Sequence, residues 1–233
     1  MLATKQTFDF IGDMKEIYKG GRRFYLTPEG RHYPSVTTVL ASDDEKNEGL
    51  AKWREAVGDE EADRVSRVGR LRGSALHDMI EKYLLGNENY DANIMPGVDS
   101  MFSSIKPILD GTITDIAHQE VAMYSDYLET GGRCDMIAKY KGKLAIVDFK
   151  NSRKFRKKEF IKSYFMQCAV YAVMYEELTG TPINDIIIIM AVENRPEGVV
   201  YHEKRDDHIG DYIELRKEYE KTLNPNYISR FAA

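Results

Sequence analysis

Cysteine is scarce: Cys134 and Cys168 are the only two in 233 residues. Two thiols cannot furnish a four-thiolate iron-sulfur or zinc centre, and they are too few for a secreted disulfide framework. Both are expected as buried free thiols. No apolar run approaches the ~20 residues needed to cross a bilayer, and the start MLATKQTFDF carries neither a long apolar stretch nor a small-residue cleavage site. Internal repeats, low-complexity tracts and a Pro/Ser-rich linker are absent, as is any Gly-x4-Gly-Lys-Ser/Thr motif. These absences exclude fibrous, membrane-spanning and nucleotide-driven motor classes and predict a soluble, cytoplasmic protein with no membrane partner.

Positive charge is also in deficit, with a net charge of -5 that taken alone argues against a phosphate-rich partner. Its distribution reverses that reading. Residues 139–162, KYKGKLAIVDFKNSRKFRKKEFIK, hold ten Lys or Arg against Asp148 and Glu159, so the other residues sum to -13. A smaller acid-free cluster comprises Arg64, Arg67, Arg70 and Arg72, three of them at helical i, i+3 spacing. One such run is ordinarily a solvated face; two, on an acidic chain, favour nucleic acid.

At 42% hydrophobic and 30% charged the composition is globular. Residues 1–45 read as an N-terminal appendage and 46–233 as the main domain. In 22–40, RRFYLTPEGRHYPSVTTVL, β-rich runs around Pro28-Glu29-Gly30 predict a hairpin. Leu50, Trp53 and Val57, then Val65, Val68 and Leu71, keep helical spacing, interrupted at Gly58. Ser74 is placed to cap a further helix through Leu76, Met79, Ile80, Tyr83 and Leu84, closed by Gly86, with His77 and Glu81 on one face. Another helix is expected over 98–110. From Ile113 the period becomes two, and HQEVAMYS, GGRCDMIAKY and KLAIVDFKNS read as a three-strand meander. Residues 158–178 return to helix, IIIIMAV reads as a strand buried on both faces, and an edge strand at 198–204 and a helix near 207–223 follow. The order predicts an α/β fold, a mixed sheet flanked by helices, with an N-terminal hairpin and helical extension.

The informative segment is the hairpin from Gly132 to Ser152. A two-residue Lys141-Gly142 loop sets Tyr140 against Lys143 and, counting outward, Asp135 against Asp148. Facing carboxylates repel, so a cation belongs between them. Lys150 projects to the same face as Asp148, about 7 Å along the strand. Such a patch suits Mg²⁺ or Mn²⁺. The alternative is a structural Asp148–Lys150 ion pair with Asp135 in a turn. His77 is equally readable as a satisfied structural histidine, and Gln167 and Tyr171, at i and i+4 on an apolar helix, as a boundary pair bonded to backbone.

In combination these segments resemble the PD-(D/E)xK nuclease superfamily, within it the RecB-like group of exonucleases that includes mitochondrial genome maintenance and phage-type members. The resemblance rests on GSALHDMIEKYL with its H-x-x-x-E, on GGRCDMIA followed by LAIVDFKNS, on QCAVY and on PSVTTVL upstream, over roughly residues 33–190. It implies a restriction-endonuclease-like αβββαβ core and a metal-dependent DNA exonuclease, acting on single-stranded DNA or DNA ends in replication, recombination or repair. By resemblance His77, Asp135, Asp148 and the carbonyl of Phe149 would hold the metal, and Asp135, Asp148 and Lys150 would carry catalysis. Gln167 and Tyr171 would line the site or touch the DNA backbone, and Glu120 and Glu81 complete the candidate set. The basic segment Arg153, Lys154, Lys158 would hold phosphates without reading sequence, and Tyr25, Tyr33 and Trp53 are candidates for stacking on bases, the core being the commoner place for such rings and the expected one for Trp53. Strand separation would fall to a separate helicase, and a single-strand-binding protein is the other candidate partner. A bacterial or phage-infected cell suits a small nuclease of this kind. The competing readings are a structure-selective endonuclease on the same fold and a catalytically inactive DNA-binding module.

Overall fold

The computed structural model describes residues 14–91 and 95–223. The start MLATKQTFDF lies outside the described residues. A three-stranded antiparallel sheet comes first: β1 (Lys15–Lys19), β2 (Arg22–Leu26) and β3 (His32–Pro34). The Pro28-Glu29-Gly30 signal turns β2 into β3, with Gly30 at φ 82°, a left-handed conformation open to glycine. The β-rich run does not continue as strand, because Val36–Leu40 forms a helix, α1. The Ser35 hydroxyl accepts the Thr38 amide at 3.0 Å, and this cap overrides the β preference of Val36, Thr37, Thr38 and Val39.

Gly58, at φ 85°, separates α2 (Asp44–Val57) from α3 (Asp59–Leu84). The expected cap at Ser74 is corrected: Ser74 lies inside α3, one helix of 26 residues. Nothing between 59 and 73 breaks it, since there is no proline and its glycines serve a contact. Asn151, at the end of a later strand, donates from Nδ2 to the Gly69 carbonyl at 3.1 Å, and a Cβ on Gly73 would stand 3.0 Å from Asn151 Oδ1.

After α4 (Val98–Thr112) the period-two segments form β4 (Ile113–Ser125), β5 (Thr130–Tyr140) and β6 (Lys143–Ser152). A 3-10 turn at Lys158–Phe160 precedes α5 (Lys162–Thr179), which therefore starts four residues later than the pattern suggested. Then come β7 (Asp185–Val192), β8 (Val199–Lys204) and α6 (Ile209–Leu223). The five strands lie in the order β4-β5-β6-β7-β8, with β6 and β7 parallel across α5 and the other pairs antiparallel. Helices α1, α5 and α6 cover one face and α3 and α4 the other, so every residue of β7 is buried. The protein is thus α/β, a mixed five-stranded sheet and a three-stranded antiparallel sheet flanked by helices.

The small sheet docks through its aromatic rings. Tyr25 is fully buried against Gly131, where a Cβ would lie 2.7 Å from the Tyr25 Cβ, and the Tyr33 hydroxyl donates to Asp126 at 2.8 Å. Neither ring is free to stack on a base, which corrects that expectation, and Trp53 is half-buried on α2. Among the described residues no helix is long and apolar enough to cross a membrane.

Candidate active site

The turn between β5 and β6 has the register that a two-residue loop dictates. Tyr140 pairs with Lys143, and the ladder runs to Met136 opposite Val147. One step further the same count sets Asp135 against Asp148. There Asp135 Oδ2 accepts the Phe149 amide at 2.9 Å. Across the other edge of β5, Gln119 pairs with Met136 and Val121 with Cys134, which aligns Glu120 with Asp135. Three carboxylates therefore form a row across β4, β5 and β6.

Such a row repels itself, and two cationic side chains answer it. Lys150 pairs with Asp148, whose side chain is 1% exposed against 18% for the lysine. Burial pushes the Asp148 carboxyl above its usual range; Lys150 opposes that shift and Asp135 adds to it. Burial works against the charged Lys150, but the Asp148 and Asp135 carboxylates outweigh it and hold the ammonium protonated. That ammonium also lies over the Tyr164 ring, 5.1 Å from its centroid. Asp148 Oδ1 is buried and no hydrogen-bond donor serves it among the described residues.

From α3, His77 reaches the other two carboxylates. Its Nε2 lies 2.9 Å from the Phe149 carbonyl; since a carbonyl only accepts, the proton sits on Nε2. Nδ1 then faces Asp135 Oδ2 at 3.6 Å and Glu120 Oε1 at 3.9 Å. Burial disfavours the imidazolium, but Asp135 and Glu120 prevail and raise its pKa to about 9. One ligand atom from each of His77, Glu120 and Asp135 lies within 4.8 Å of the others. The Phe149 carbonyl, expected as a further metal ligand, lies against His77 Nε2 and orients the ring in the way an outer partner orients a metal-binding histidine. Alongside runs a cleft of about 390 Å³ lined by Gly73, Ser74, His77, Asp78, Glu81 and Glu120.

The remaining candidates divide. Gln167 Nε2 donates to the Tyr171 hydroxyl at 3.1 Å, and Tyr171, 2% exposed, packs against Gly132 as an inner wall, with little surface for a DNA backbone. Arg153 and Lys154 are exposed on the loop after β6, whereas the Lys158 ammonium pairs with Glu203 of β8. The two basic clusters approach each other: chiefly Arg64, with Arg153 adding, holds the Glu61 carboxyl below its usual range. Arg72 is engaged by Glu193, while Arg67 and Arg70 are exposed on α3.

Three residues near the site escaped the sequence reading: Tyr164, Asn151 and Arg133, whose Nη1 donates to the Glu120 carbonyl at 2.5 Å. Tyr164, Gln167 and Tyr171 fall at i, i+3 and i+7, a signal that was available. Arg133 and Asn151 offered none, because their partners lie 13 and 82 residues away.

No protein-family model matches this sequence. Over 128 residues the chain is 30% identical to mitochondrial genome maintenance exonuclease 1 of Mus musculus, a stretch that is 52% of this chain and 37% of that protein. The match thus spans a little over a third of the relative's length. A solved structure titled as the crystal structure of SSO0001 aligns at TM-score 0.40 and 16% identity, over 78% of this chain and 73% of that one, too distant to bear on fold or function.

Proposed function

We propose that this chain is a metal-dependent deoxyribonuclease of the PD-(D/E)xK kind, an exonuclease acting on single-stranded DNA or DNA ends in replication, recombination or repair. The observation that carries the reading is the row Glu120, Asp135 and Asp148, with Lys150 against its buried end and His77 against its open end. A structural ion pair accounts for Asp148 and Lys150 alone; it leaves His77, Glu120 and Asp135 clustered beside a cleft without a reason.

The donor set fits a divalent cation. Carboxylates from β4 and β5 and the Nδ1 of His77 lie within ligand distance of one another, the imidazolium giving up its Nδ1 proton to bind, and the bare Asp148 Oδ1 is a further oxygen. Two or more carboxylates with one imidazole suit Mn²⁺, and Mg²⁺ with more water. When bound, the cation would lower the pKa of a water and offset charge on a phosphodiester. The chain's own residues do the rest. Lys150 sets a compact positive charge where negative charge develops on the phosphoryl oxygens, held there by Asp148 and the Tyr164 ring. The Phe149 amide fixes Asp135 and its carbonyl fixes His77, so one residue of β6 orients both. Arg153 and Lys154, with the exposed Arg67 and Arg70 of α3, would track the strand.

The test is degradation of matched linear and circular single-stranded DNA with Mg²⁺ or Mn²⁺, with Asp148→Asn as control. Loss of the linear form alone, abolished in the variant, is expected. Loss of both forms means an endonuclease, and cleavage retained by Asp148→Asn refutes the site.

A further inference from the structure

The loop between β6 and α5 displays two phenylalanines outward, Phe155 at 51% and Phe160 at 72% exposure. Phenylalanine is among the most consistently buried residue types, so two on one short loop call for a reason. The loop itself is held in place. The Ser152 hydroxyl donates to the Lys154 carbonyl at 2.7 Å, the Tyr201 hydroxyl donates to the Arg156 carbonyl, Lys158 pairs with Glu203, and Ile161 is buried in the core. The rings are therefore presented by an ordered backbone. Around them, residues 153–162 hold six Lys or Arg against the single acid Glu159, and the Arg195 guanidinium lies 5.4 Å from the centroid of the Phe155 ring.

We propose that Phe155 and Phe160 form a stacking platform for the unpaired bases of a single nucleic-acid strand whose backbone is held by the surrounding Arg and Lys side chains. Aromatic faces interleaved with positive charge are what a single strand requires, since its bases expose π-faces that a duplex keeps stacked internally. The core of a protein interface, by contrast, is depleted of charge, which this patch is not. Both ends of the loop are tied to the candidate site. Phe155 is five residues beyond Lys150, at most about 17 Å along the backbone, and Phe160 lies four residues before Tyr164, whose ring the Lys150 ammonium overlies. A strand stacked here has its phosphates within a few nucleotides of the carboxylate row. The inference rests on the nuclease reading for its purpose, and it adds to that reading a surface that engages the strand through its bases.

The experiment measures binding of an oligothymidylate and of an abasic strand of equal length by fluorescence anisotropy in EDTA, so that nothing is cleaved. The wild type should bind the base-bearing strand more tightly. Phe155→Ala and Phe160→Ala should each weaken that binding by about five- to a hundredfold, leave the abasic strand and the salt slope unchanged, and keep the Tm, because both side chains are exposed. Phe160→Trp should retain affinity. Variants that bind oligothymidylate like the wild type, or that lose both strands equally, overturn the platform. Binding of neither strand by the wild type also overturns it and favours a protein partner for the patch. A wild type that binds with the expected preference but cleaves nothing with Mn²⁺ refutes the nuclease reading instead.

Discussion

Gly132→Ala and Gly111→Ala are the same chemical change with opposite expected signs. Gly132 lies on β5 beneath α5, where a Cβ would stand 2.7 Å from Tyr171 Cε1, 3.1 Å from Val36 Cγ2 and 3.3 Å from the Tyr171 hydroxyl. The nearest of these is closer than carbon atoms approach, and Tyr171, 2% exposed, has nowhere to swing. Overpacking of this kind costs about 1–3 kcal/mol, which for a chain of this size lowers Tm by about 2–12 °C. Gly111 lies in α4 with nothing within 4 Å of the added atom. Alanine there should stabilise by about 0.4–1 kcal/mol, through reduced freedom of the unfolded chain and better helix propensity. Thermal and urea unfolding of both variants measure the difference. A second pair isolates the contact: Tyr171→Phe keeps Cε1 and should not rescue Gly132→Ala, whereas with Tyr171→Leu the double variant should lose less than the sum of the singles. A Gly132→Ala protein with wild-type Tm refutes the close approach and, with it, the position of Tyr171 under the carboxylates.

Replacing Arg153 and Lys154 by Gln should flatten the salt dependence of single-strand binding by about 1.4 in log-log slope, roughly 0.7 for each phosphate contact removed; Lys158→Gln should change it little because Glu203 holds that ammonium. An effect of Lys158→Gln as large as the other two sinks this assignment. Mn²⁺ at a hundredfold its Kd should stabilise the wild type by about 2.7 kcal/mol, seen as a rise in Tm, and Glu120→Gln should diminish the effect; equal shifts in the two proteins would remove Glu120 from the cation site. Lys150→Met strands a buried carboxylate and should destabilise by about 3 kcal/mol in EDTA, with Asp148→Asn/Lys150→Met losing less than the two singles added. Strict additivity in that cycle would mean that the pair is not coupled.

The hairpin was the most legible part of the molecule, and for a geometric reason. A two-residue loop admits one register, so Lys141-Gly142 alone determines which residues of β5 and β6 face each other. The four consecutive isoleucines marked β7 because only a strand covered on both faces tolerates them. The failures were local contests that composition does not decide. The segment Val36–Leu40 has the residues of a strand, yet one serine hydroxyl in front of it nucleates a helix. Ser74 has the chemistry of a cap, but a cap acts only where a helix begins, and α3 was already under way at Asp59. Tyr25 and Tyr33 could not be assigned to base or core from sequence, since their partners Gly131 and Asp126 are about a hundred residues distant.

Glu120 shows how the site was concealed. Strict alternation along β4 assigns it a face but says nothing about its backbone, and its φ is 46°, the left-handed region, in the body of a strand. For a residue with a side chain that conformation costs roughly 1–2 kcal/mol, and something must hold it. Arg133 does so, by taking the Glu120 carbonyl at 2.5 Å. The outcome is a carboxylate turned toward His77 and Asp135, at the end of the row that the cleft reaches. Backbone strain beside clustered ligand atoms is a reason to look for function there. It also explains the division of charge. Lys150 serves the buried carboxylate and His77 the other two, so Glu120 faces the cleft, Asp135 lies between, and Asp148 anchors the row from within. Glu120, for which spacing and composition offered no support, thus combines a left-handed backbone with a carboxylate set among possible ligand atoms.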